Sequence, residues 1–306
     1  EGLGGHLWHL GHGRYCKSPA RLLALQKTAC LQSFLSELPA QSRRMSICLA
    51  QSRSPHYAKG LVWLRRDLRA HDHAALYHAL KSCDQVFVAF ILDSDILQPL
   101  PRSDRRVEFI LASLHDVDAA LRQLAQQHHA ANAEQVQLIV RHGAATHELP
   151  QLAAALGVGA VFCNHDYEPT AIARDKQVLG ALANVGIVLH SFKDQVVFER
   201  QEVVAQDGRP YSVFTPYKRA WLQKLDAFQL TPYPVQRYAH HLAAPPAGER
   251  LPTLADLGFS ATNLGSLALP PGMQGAQQLL HDFAPRMAAY QEARDFPARK
   301  GVSYLS

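Results

Sequence analysis

Two groups of polar side chains each follow directly after a short apolar run of the chain. The residues in these groups that could contact a ligand are Arg65, Asp67, Asn164, Glu168 and Thr170. The first two follow residues 60–64, and the other three follow residues 160–163. If both runs are parallel strands, their carboxyl ends meet at one edge of a sheet, where ligands of such sheets usually bind. The pattern predicts a polar pocket, with ion pairs and a helix cap as the competing interpretation.

The end of the sequence carries a second candidate site, rich in hydroxyl groups. Its residues are Tyr290, Val302, Ser303, Tyr304, Leu305 and Ser306. Hydroxyls and unpaired backbone N–H groups at a helix start favour a phosphate or pyrophosphate ligand. A third stretch, residues 214–221, places Tyr217 and Trp221 four residues apart. This aromatic spacing is more typical of a packed helix than of a cofactor site.

The elements that position these groups alternate between strands and helices. Predicted strands cover residues 60–64, 85–92, 136–140, 160–163 and 186–190. Predicted helices cover residues 103–128, 146–156 and 170–184, and a shorter helix begins with Asp72 as its cap. This alternation requires crossover connections, so it predicts an α/β fold with a five-stranded parallel, doubly wound (Rossmann-like) sheet. No GxGxxG or GxxxxGK[ST] motif occurs at a βα turn, which argues against a dinucleotide dehydrogenase or a P-loop enzyme.

The chain after the sheet predicts a hairpin, a connector and a helical region. Residues 202–204 and 211–214 flank Asp207-Gly208, a typical hairpin turn, and Thr215 then caps a helix that starts with Pro216. Residues 228–272 are rich in Pro, Ala and Gly, and residues 276–292 have helical periodicity. The predicted organisation has an extension (1–58), an α/β domain (59–194), a hairpin, helix and interdomain linker (195–272), and the start of an all-α domain (273–306).

Charge and composition restrict the function classes. The formal net charge of +5 lies entirely in residues 1–58, which hold seven basic and two acidic side chains, so residues 59–306 hold 24 of each sign. Bulk charge therefore gives the folded part no preference for nucleic acid. No apolar run reaches the roughly 20 residues of a membrane span, so we expect no membrane contact.

Cysteine and histidine usage favours a reducing compartment, and we expect the cytoplasm. The five cysteines are odd in number and form no CxxC pair. His6, His9 and His12 recur on a Gly-rich stretch, which favours a tail over a metal site, so we expect no metal. Residues 1–58 are consistent with a transit leader, a disordered extension or upstream sequence before a start at Met45; the last two are favoured.

Four motifs resemble those of one family, the photolyase/cryptochrome flavoproteins. Residues 63–73 are similar to the family's WFRxDLRxxDN, with Leu64 for Phe and His73 for Asn. Residues 164–175 resemble its NxxYEP-and-RD stretch, residues 214–221 its FTPF-plus-Trp stretch, and residues 290–306 its YxxxRDxPxxxGxSxLS stretch. The four occur in family order, so together they are far more specific than any one alone.

This resemblance implies an α/β domain that can hold an antenna chromophore and a helical domain that buries FAD. It implies light-driven electron transfer from reduced FAD to a cyclobutane pyrimidine dimer in DNA. It assigns flavin contacts to Tyr290 and residues 302–306, and a DNA phosphate contact to Arg294. Many family members have Thr where Val302 stands, so only the Val302 backbone N–H is available here. We expect a monomer.

The resemblance also implies limits and alternatives. Folate-binding members have Asn-Glu where Thr170-Ala171 stand here, so folate is disfavoured, and a deazaflavin, a second flavin or an empty antenna pocket are open. In family members most of the flavin pocket follows the position of Ser306. We therefore expect that this chain alone neither holds FAD nor repairs DNA. The alternatives are a cryptochrome-type light sensor and a stand-alone nucleotide-binding α/β domain.

Overall fold

The computed structural model describes residues 56–305, so most of the predicted extension 1–58, and Ser306, lie outside the described residues. The strands are β1 (Tyr57–Leu64), β2 (Cys83–Asp93), β3 (Ile139–Gly143), β4 (Ala160–Asn164) and β5 (Val188–Phe192). The helices are α1 (Ala74–Ser82), α2 (Ser94–Leu97), α3 (Arg105–Gln127), α4 (Ala145–Leu156), α5 (Pro169–Asn184), α6 (Phe214–Lys224), α7 (Gly272–Phe283) and α8 (Tyr290–Ala293). Short 3-10 turns occupy Ala133–Gln135, Val235–His241, Ala255–Leu257, Leu264–Ser266 and Ala284–Ala289.

The five strands form one parallel sheet in the order β3-β2-β1-β4-β5. Strand β1 is central and pairs in parallel with β2 on one side and β4 on the other. The predicted five-stranded parallel α/β fold is therefore confirmed. The reversal of strand order beside β1 opens a crevice at the carboxyl ends of β1 and β4, which is where such sheets bind ligands.

Apolar cores cover both faces of this sheet. Val62 and Val88 pack on one side with α1 and α3, and Leu61 and Phe87 pack on the other side with α4 and α5. Strand β2 is continuously apolar because its side chains alternate between two buried faces. Each fully buried large side chain contributes roughly 1.5–3 kcal/mol, so these cores hold the strand ends in place.

Two local predictions are wrong. Asp72 does not cap α1, because His73 takes that position and its Nδ1 accepts a hydrogen bond from the Leu76 backbone N at 3.1 Å. Asp72 instead adopts a φ of 45° and accepts from the Tyr233 backbone N at 2.8 Å. Helix α6 begins at Phe214 with Val213 before it and without a side-chain cap, so Thr215 is inside the helix.

The hairpin predicted within residues 195–272 is also wrong, because the described residues there form no strand. The turn itself is present, since Gly208 has a φ of 77° and its N donates to the Ala205 carbonyl at 2.9 Å. The Glu202 carboxylate accepts a hydrogen bond from Lys193 Nζ at 2.7 Å. The residues beyond the turn continue into α6 and cannot form a second strand.

A segment that we call the strap (residues 233–264) packs onto the α/β core. Its buried apolar side chains are Val235, Ala239, Leu242, Leu257, Phe259 and Leu264. The Ala243 backbone N donates to the Val86 carbonyl at 2.9 Å, which ties the strap to β2. The strap is thus part of the same compact unit, His56–Ser306, as the sheet. The boundaries at 194 and 272 stay predictions.

The predicted helix 276–292 is broken into α7, a 3-10 turn and α8. Pro285 lies at the start of that turn and lacks the N–H that would continue α7. Among residues 56–305 no helix combines the length and apolarity that crossing a bilayer would take.

Candidate functional site at the carboxyl edge of the sheet

Three of the predicted pocket residues lie together in a buried network beyond β1 and β4. Asp67 Oδ1 accepts from the Arg65 backbone N at 2.7 Å. Asp67 Oδ2 accepts from Asn164 Nδ2 at 2.6 Å and lies 3.0 Å from His73 Nε2. Asn164 Oδ1 accepts from the Ala75 backbone N at 2.9 Å, which connects the network to α1.

The charge state of this network follows from its hydrogen bonds. His73 Nδ1 accepts from a backbone N–H, so the ring proton belongs on Nε2, facing Asp67. Burial would raise the pKa of Asp67, but the hydrogen bond from His73 and those from Arg65 N and Asn164 outweigh it and hold that pKa well below its usual range. Asp67 is therefore a buried carboxylate whose acceptor sites are taken by protein donors.

The Arg65 side chain is likewise occupied. One guanidinium nitrogen donates to Asp175 Oδ2 at 2.5 Å, and the other donates to the Asn164 carbonyl. Its Cζ atom lies 4.8 Å from the centre of the Trp63 ring, a cation–π contact. These contacts fix the β1 loop against β4 and α5.

The other two predicted pocket residues lie outside the network. Glu168 immediately precedes α5, makes no side-chain cap and is ion-paired with Arg66 at 2.5 Å. Thr170 is exposed in the first turn of α5. The structure therefore brings Arg65, Asp67 and Asn164 together and leaves Glu168 and Thr170 on the adjacent surface. Their role in an antenna pocket stays a prediction.

A cavity of about 560 Å³ lies beside the network, at the ends of β4 and β5. It is lined by Cys163, His165, Asp166, Tyr167, Ile172, Asp175, Lys176, Leu179, Leu189, Ser191, Glu199, Arg200, Gln201 and Glu202. None of the five predicted pocket residues is among them. The polar groups at this cavity were missed because β5 was predicted to end at His190 and the chain after it was assigned to a hairpin.

A second histidine–carboxylate pair lies at this cavity. His165 follows β4 directly, and its Nδ1 contacts Glu199 Oε1. Its Nε2 lies 3.1 Å from Ser191 Oγ, on β5. Tyr167 donates its hydroxyl to Glu199 Oε1 at 2.8 Å. Burial would raise the pKa of Glu199, but the hydrogen bonds from His165 and Tyr167 lower it overall, so Glu199 is ionised at neutral pH.

The candidate phosphate-binding residues at the chain's end lie on two segments that approach each other at Ala293 and Gly301. A Cβ on Gly301 would lie 2.5 Å from the Ala293 carbonyl, so this glycine permits residues 301–305 to pack against α8, which begins with Tyr290. Tyr290 is 42% exposed, and Tyr304 and Leu305 are similarly open. Ser306 lies outside the described residues.

These residues fit one part of a flavin site. The Tyr290 and Ser303 hydroxyls and the backbone N–H groups of 302–304 are donors of the kind that bind a pyrophosphate, whereas the Leu305 backbone N donates to Ser303 Oγ at 3.2 Å. The described residues 301–305 form no helix, so the predicted helix start is wrong there. Their exposure means that the described residues do not enclose an isoalloxazine ring, which needs a dry cavity. Arg294 is exposed beside them, and its nearest carboxylate, that of Asp295, is 3.6 Å away. Among residues 56–305 no cluster of histidine, cysteine and carboxylate groups has a metal-binding arrangement.

Comparison with known proteins agrees with this fold. The DNA photolyase family model matches residues 60–237. The chain is 34% identical over 251 residues to an uncharacterized 31.6 kDa protein of Synechococcus sp. PCC 6716, covering 82% of this chain and 84% of that protein. It is 33% identical over 256 residues to the deoxyribodipyrimidine photo-lyase of Synechococcus sp. PCC 6301, covering 80% of this chain and 49% of that enzyme.

Solved structures give the same relationship. A bacterial class III photolyase from Agrobacterium tumefaciens superposes with a TM-score of 0.65 at 27% identity, covering 84% of this chain and 51% of that chain. A cryptochrome from Synechocystis shares the fold, with a TM-score of 0.59 at 19% identity. The chain thus spans about half the length of the photo-lyases that it matches. With the family model matching more than half of its residues, the chain belongs to the photolyase/cryptochrome family.

Proposed function

We propose that this chain supplies the α/β domain and the first flavin-binding segment of a light-driven enzyme that splits cyclobutane pyrimidine dimers in DNA. The observation that carries this proposal is the 33% identity over 256 residues to a deoxyribodipyrimidine photo-lyase. Four motifs spread from residue 63 to residue 306 support it, because they occur in the family's order. Since those enzymes are about twice as long, the activity belongs to a protein that contains further chain.

FAD is the proposed cofactor, and reduced FAD would supply the electron that opens the dimer. This chain's part is to bind and orient it. Tyr290 and Ser303 offer hydroxyls, and the backbone N–H groups of Val302 and Tyr304 offer donors to the pyrophosphate. The Leu305 backbone N donates to Ser303 Oγ at 3.2 Å, so the proposed contact of Leu305 requires that bond to open. Ser306 completes the proposed set. Because these groups are exposed, further helical chain must enclose the flavin.

Arg294 is the proposed contact to a DNA phosphate. Its guanidinium is half exposed, with a long ion pair to Asp295 at 3.6 Å and a cation–π contact 5.9 Å from the centre of the Tyr290 ring. It is therefore available to an external anion. In the full-length protein, Arg294→Ala should weaken binding to all DNA sequences about equally and reduce the salt dependence by about one phosphate contact. An unchanged salt slope would remove Arg294 from the DNA surface.

A repair assay on the full-length gene product tests the proposal. Ultraviolet-damaged DNA is incubated with the reduced protein in blue light and in the dark, and remaining dimers are counted. We expect repair only in the light. A full-length protein that binds FAD but repairs no lesion would instead be a cryptochrome-type sensor. The present chain, purified alone, should carry far less than one FAD per molecule, and stoichiometric flavin absorbance would contradict that expectation.

A second candidate is a stand-alone nucleotide-binding α/β protein without light chemistry. It is favoured by the 31.6 kDa cyanobacterial relative, of which the chain covers 84%. This candidate predicts that the complete gene ends soon after Ser306 and that its product binds nucleotide without FAD. Sequencing the gene onward distinguishes the two candidates. For either one we expect a cytoplasmic monomer, and sedimentation measurements test the oligomeric state.

A further inference from the structure

Three side chains at the mouth of the 560 Å³ cavity form a hydrogen-bonded line that the proposed function does not use. Ser191 lies on the edge strand β5, opposite Cys163 of β4. His165 lies directly after β4 and bridges the Ser191 hydroxyl and the Glu199 carboxylate. A hydroxyl, an imidazole and a carboxylate in this order are the parts of an activated serine nucleophile.

The hydrogen bonds assign the imidazole the tautomer that a general base requires. Glu199 is ionised and accepts the Tyr167 hydroxyl at 2.8 Å, so Nδ1 of His165 carries the proton that faces it. The lone pair of Nε2 then points at Ser191 Oγ, 3.1 Å away. The His165 backbone N donates to the Phe192 carbonyl at 2.7 Å, which holds the histidine beside β5.

The loop that carries Glu199 is also held. The Glu199 backbone N donates to Glu202 Oε2 at 2.6 Å, and Lys193 Nζ donates to the same oxygen at 2.7 Å. These contacts connect the loop back to the chain just after β5. The carboxylate is therefore positioned by its own backbone and by Tyr167, as the orienting member of such a line must be.

Access and lining suit a small substrate. Ser191 is exposed, and its hydroxyl has no other side-chain partner among residues 56–305. Beyond it, Ile172, Leu179 and Leu189 give the cavity an apolar wall. Lys176 and Arg200 also line the cavity, and neither is ion-paired with a described residue. The four carboxylates that line the cavity (Asp166, Asp175, Glu199 and Glu202) each have an ion-pair partner of their own. The cavity thus offers an apolar surface and two cations beside a serine hydroxyl.

We propose that Ser191, His165 and Glu199 form a hydrolytic site for carboxylic esters with a small apolar acyl group. Ser191 Oγ attacks the ester carbonyl while His165 Nε2 takes the hydroxyl proton. The bond to the alcohol breaks, and His165 returns the proton to the leaving alcohol. Water, deprotonated by His165, then attacks the acyl carbon, the bond to Ser191 Oγ breaks, and His165 returns the proton to that oxygen as the acid leaves. Lys176 and Arg200 line the same cavity and are the proposed groups that stabilise the developing oxyanion.

This reaction needs only water as co-reactant, so it proceeds in the dark and without flavin. Its test is therefore independent of the repair assay. The purified chain is incubated with a fluorophosphonate probe, and the modified peptide is located by mass spectrometry. We expect one adduct, on Ser191. Hydrolysis of p-nitrophenyl butyrate is measured on the same protein.

Four variants make the test specific. Ser191→Ala should lose both the adduct and the hydrolysis. His165→Gln and Glu199→Gln should lower kcat by about 100-fold or more, because general base catalysis contributes that much, while KM changes little. Ser260→Ala removes an exposed serine that does not line the cavity and should leave both readouts unchanged.

The result that overturns the proposal is a wild-type chain that fluorophosphonate does not modify, or an adduct that maps to another residue. Hydrolysis that persists in Ser191→Ala would do the same. Mapping the adduct on the wild-type chain keeps the test valid even if a variant folds poorly. A chromophore that copurifies in the cavity and leaves Ser191 unreactive would assign the cavity to pigment binding and also end the proposal.

Discussion

Two histidine–carboxylate pairs lie at the same edge of the sheet and differ in their surroundings. The His73 and Asp67 side chains are 0% and 1% exposed, whereas those of His165 and Glu199 are 34% and 29% exposed. In the buried pair, His73 Nδ1 takes a backbone N–H and Asp67 takes three donors. In the open pair, one imidazole nitrogen faces a hydroxyl at a cavity. A histidine beside a carboxylate therefore fixes a loop in one place and keeps a reactive lone pair in the other.

The largest difference is expected from removing the carboxylate charge of each pair. Asp67→Asn places an amide against three donors in a buried site and should lower the free energy of unfolding by about 3–5 kcal/mol. Glu199→Gln alters a partly solvated group and should cost about 1 kcal/mol or less. Urea denaturation of both variants measures the difference. Equal losses of unfolding free energy would mean that burial does not make the buried pair more important for stability than the open pair.

Arginine substitutions sharpen the same contrast at intermediate size. Arg65→Lys cannot reach both Asp175 and the Asn164 carbonyl, so we expect a loss of about 1–3 kcal/mol. Arg66→Lys is the matched control, because Arg66 and its shorter ion-pair partner Glu168 are both exposed, and its contact with the buried Asp166 is longer, at 3.5 Å. Its effect should stay within about 0.5 kcal/mol. Thermal unfolding of both variants measures the difference. If Arg66→Lys lowered the unfolding temperature as much as Arg65→Lys, the buried contacts of Arg65 would not be the cause of its effect.

The pH dependence of stability reports on the buried pair. The pKa of Asp67 is lower in the folded state than the value of about 3.9 expected for the unfolded chain. Its stabilising contribution is therefore complete above that value and is lost as the pH falls through the folded-state pKa. Unfolding free energies measured from pH 7 down to about pH 2 should decrease more steeply below about pH 4 for the wild-type chain than for Asp67→Asn. Parallel curves would show that Asp67 is not the group responsible.

The effect expected at Tyr167 is smaller than those expected at Asp67 and Arg65. Tyr167→Phe removes one hydrogen bond to Glu199 and should lower the free energy of unfolding by about 0.5–1.5 kcal/mol. It should slow ester hydrolysis less than Glu199→Gln does, because Glu199 still orients His165. Denaturation and kinetics on the same preparation provide both numbers. If Tyr167→Phe hydrolysed the ester more slowly than Glu199→Gln, Tyr167 rather than Glu199 would be the residue that orients His165.

Much of the fold was predictable because it depends on local patterns. The continuous apolar run of β2 and the buried stripe of α3, which includes Val107, Leu114 and Leu121, are readable from spacing alone. The cap of α1 was assigned to Asp72 because aspartate is the commoner cap. Only the fold shows that the Asp72 carboxylate accepts a hydrogen bond from the backbone N of Tyr233, 161 residues away. His73 caps α1 instead.

The candidate site was predictable only in part. The crevice beside β1 and β4 follows from strand order, and Asn164 and Asp67 meet there. The open pair was missed because His165 reaches Ser191 and Glu199 across 26 and 34 residues of chain. Such contacts depend on where β5 ends and how the next loop turns, and side-chain periodicity carries no information about either.

The strap has a consequence for a chain that is cut by a protease. Phe228 is 83% exposed just before the strap, so the turn around it is an accessible place for cleavage. The strap itself is held by buried side chains, among them Val235 and Phe259, and by the hydrogen bond to β2. A nicked molecule would therefore run as two bands on a denaturing gel yet elute as a single species under native conditions.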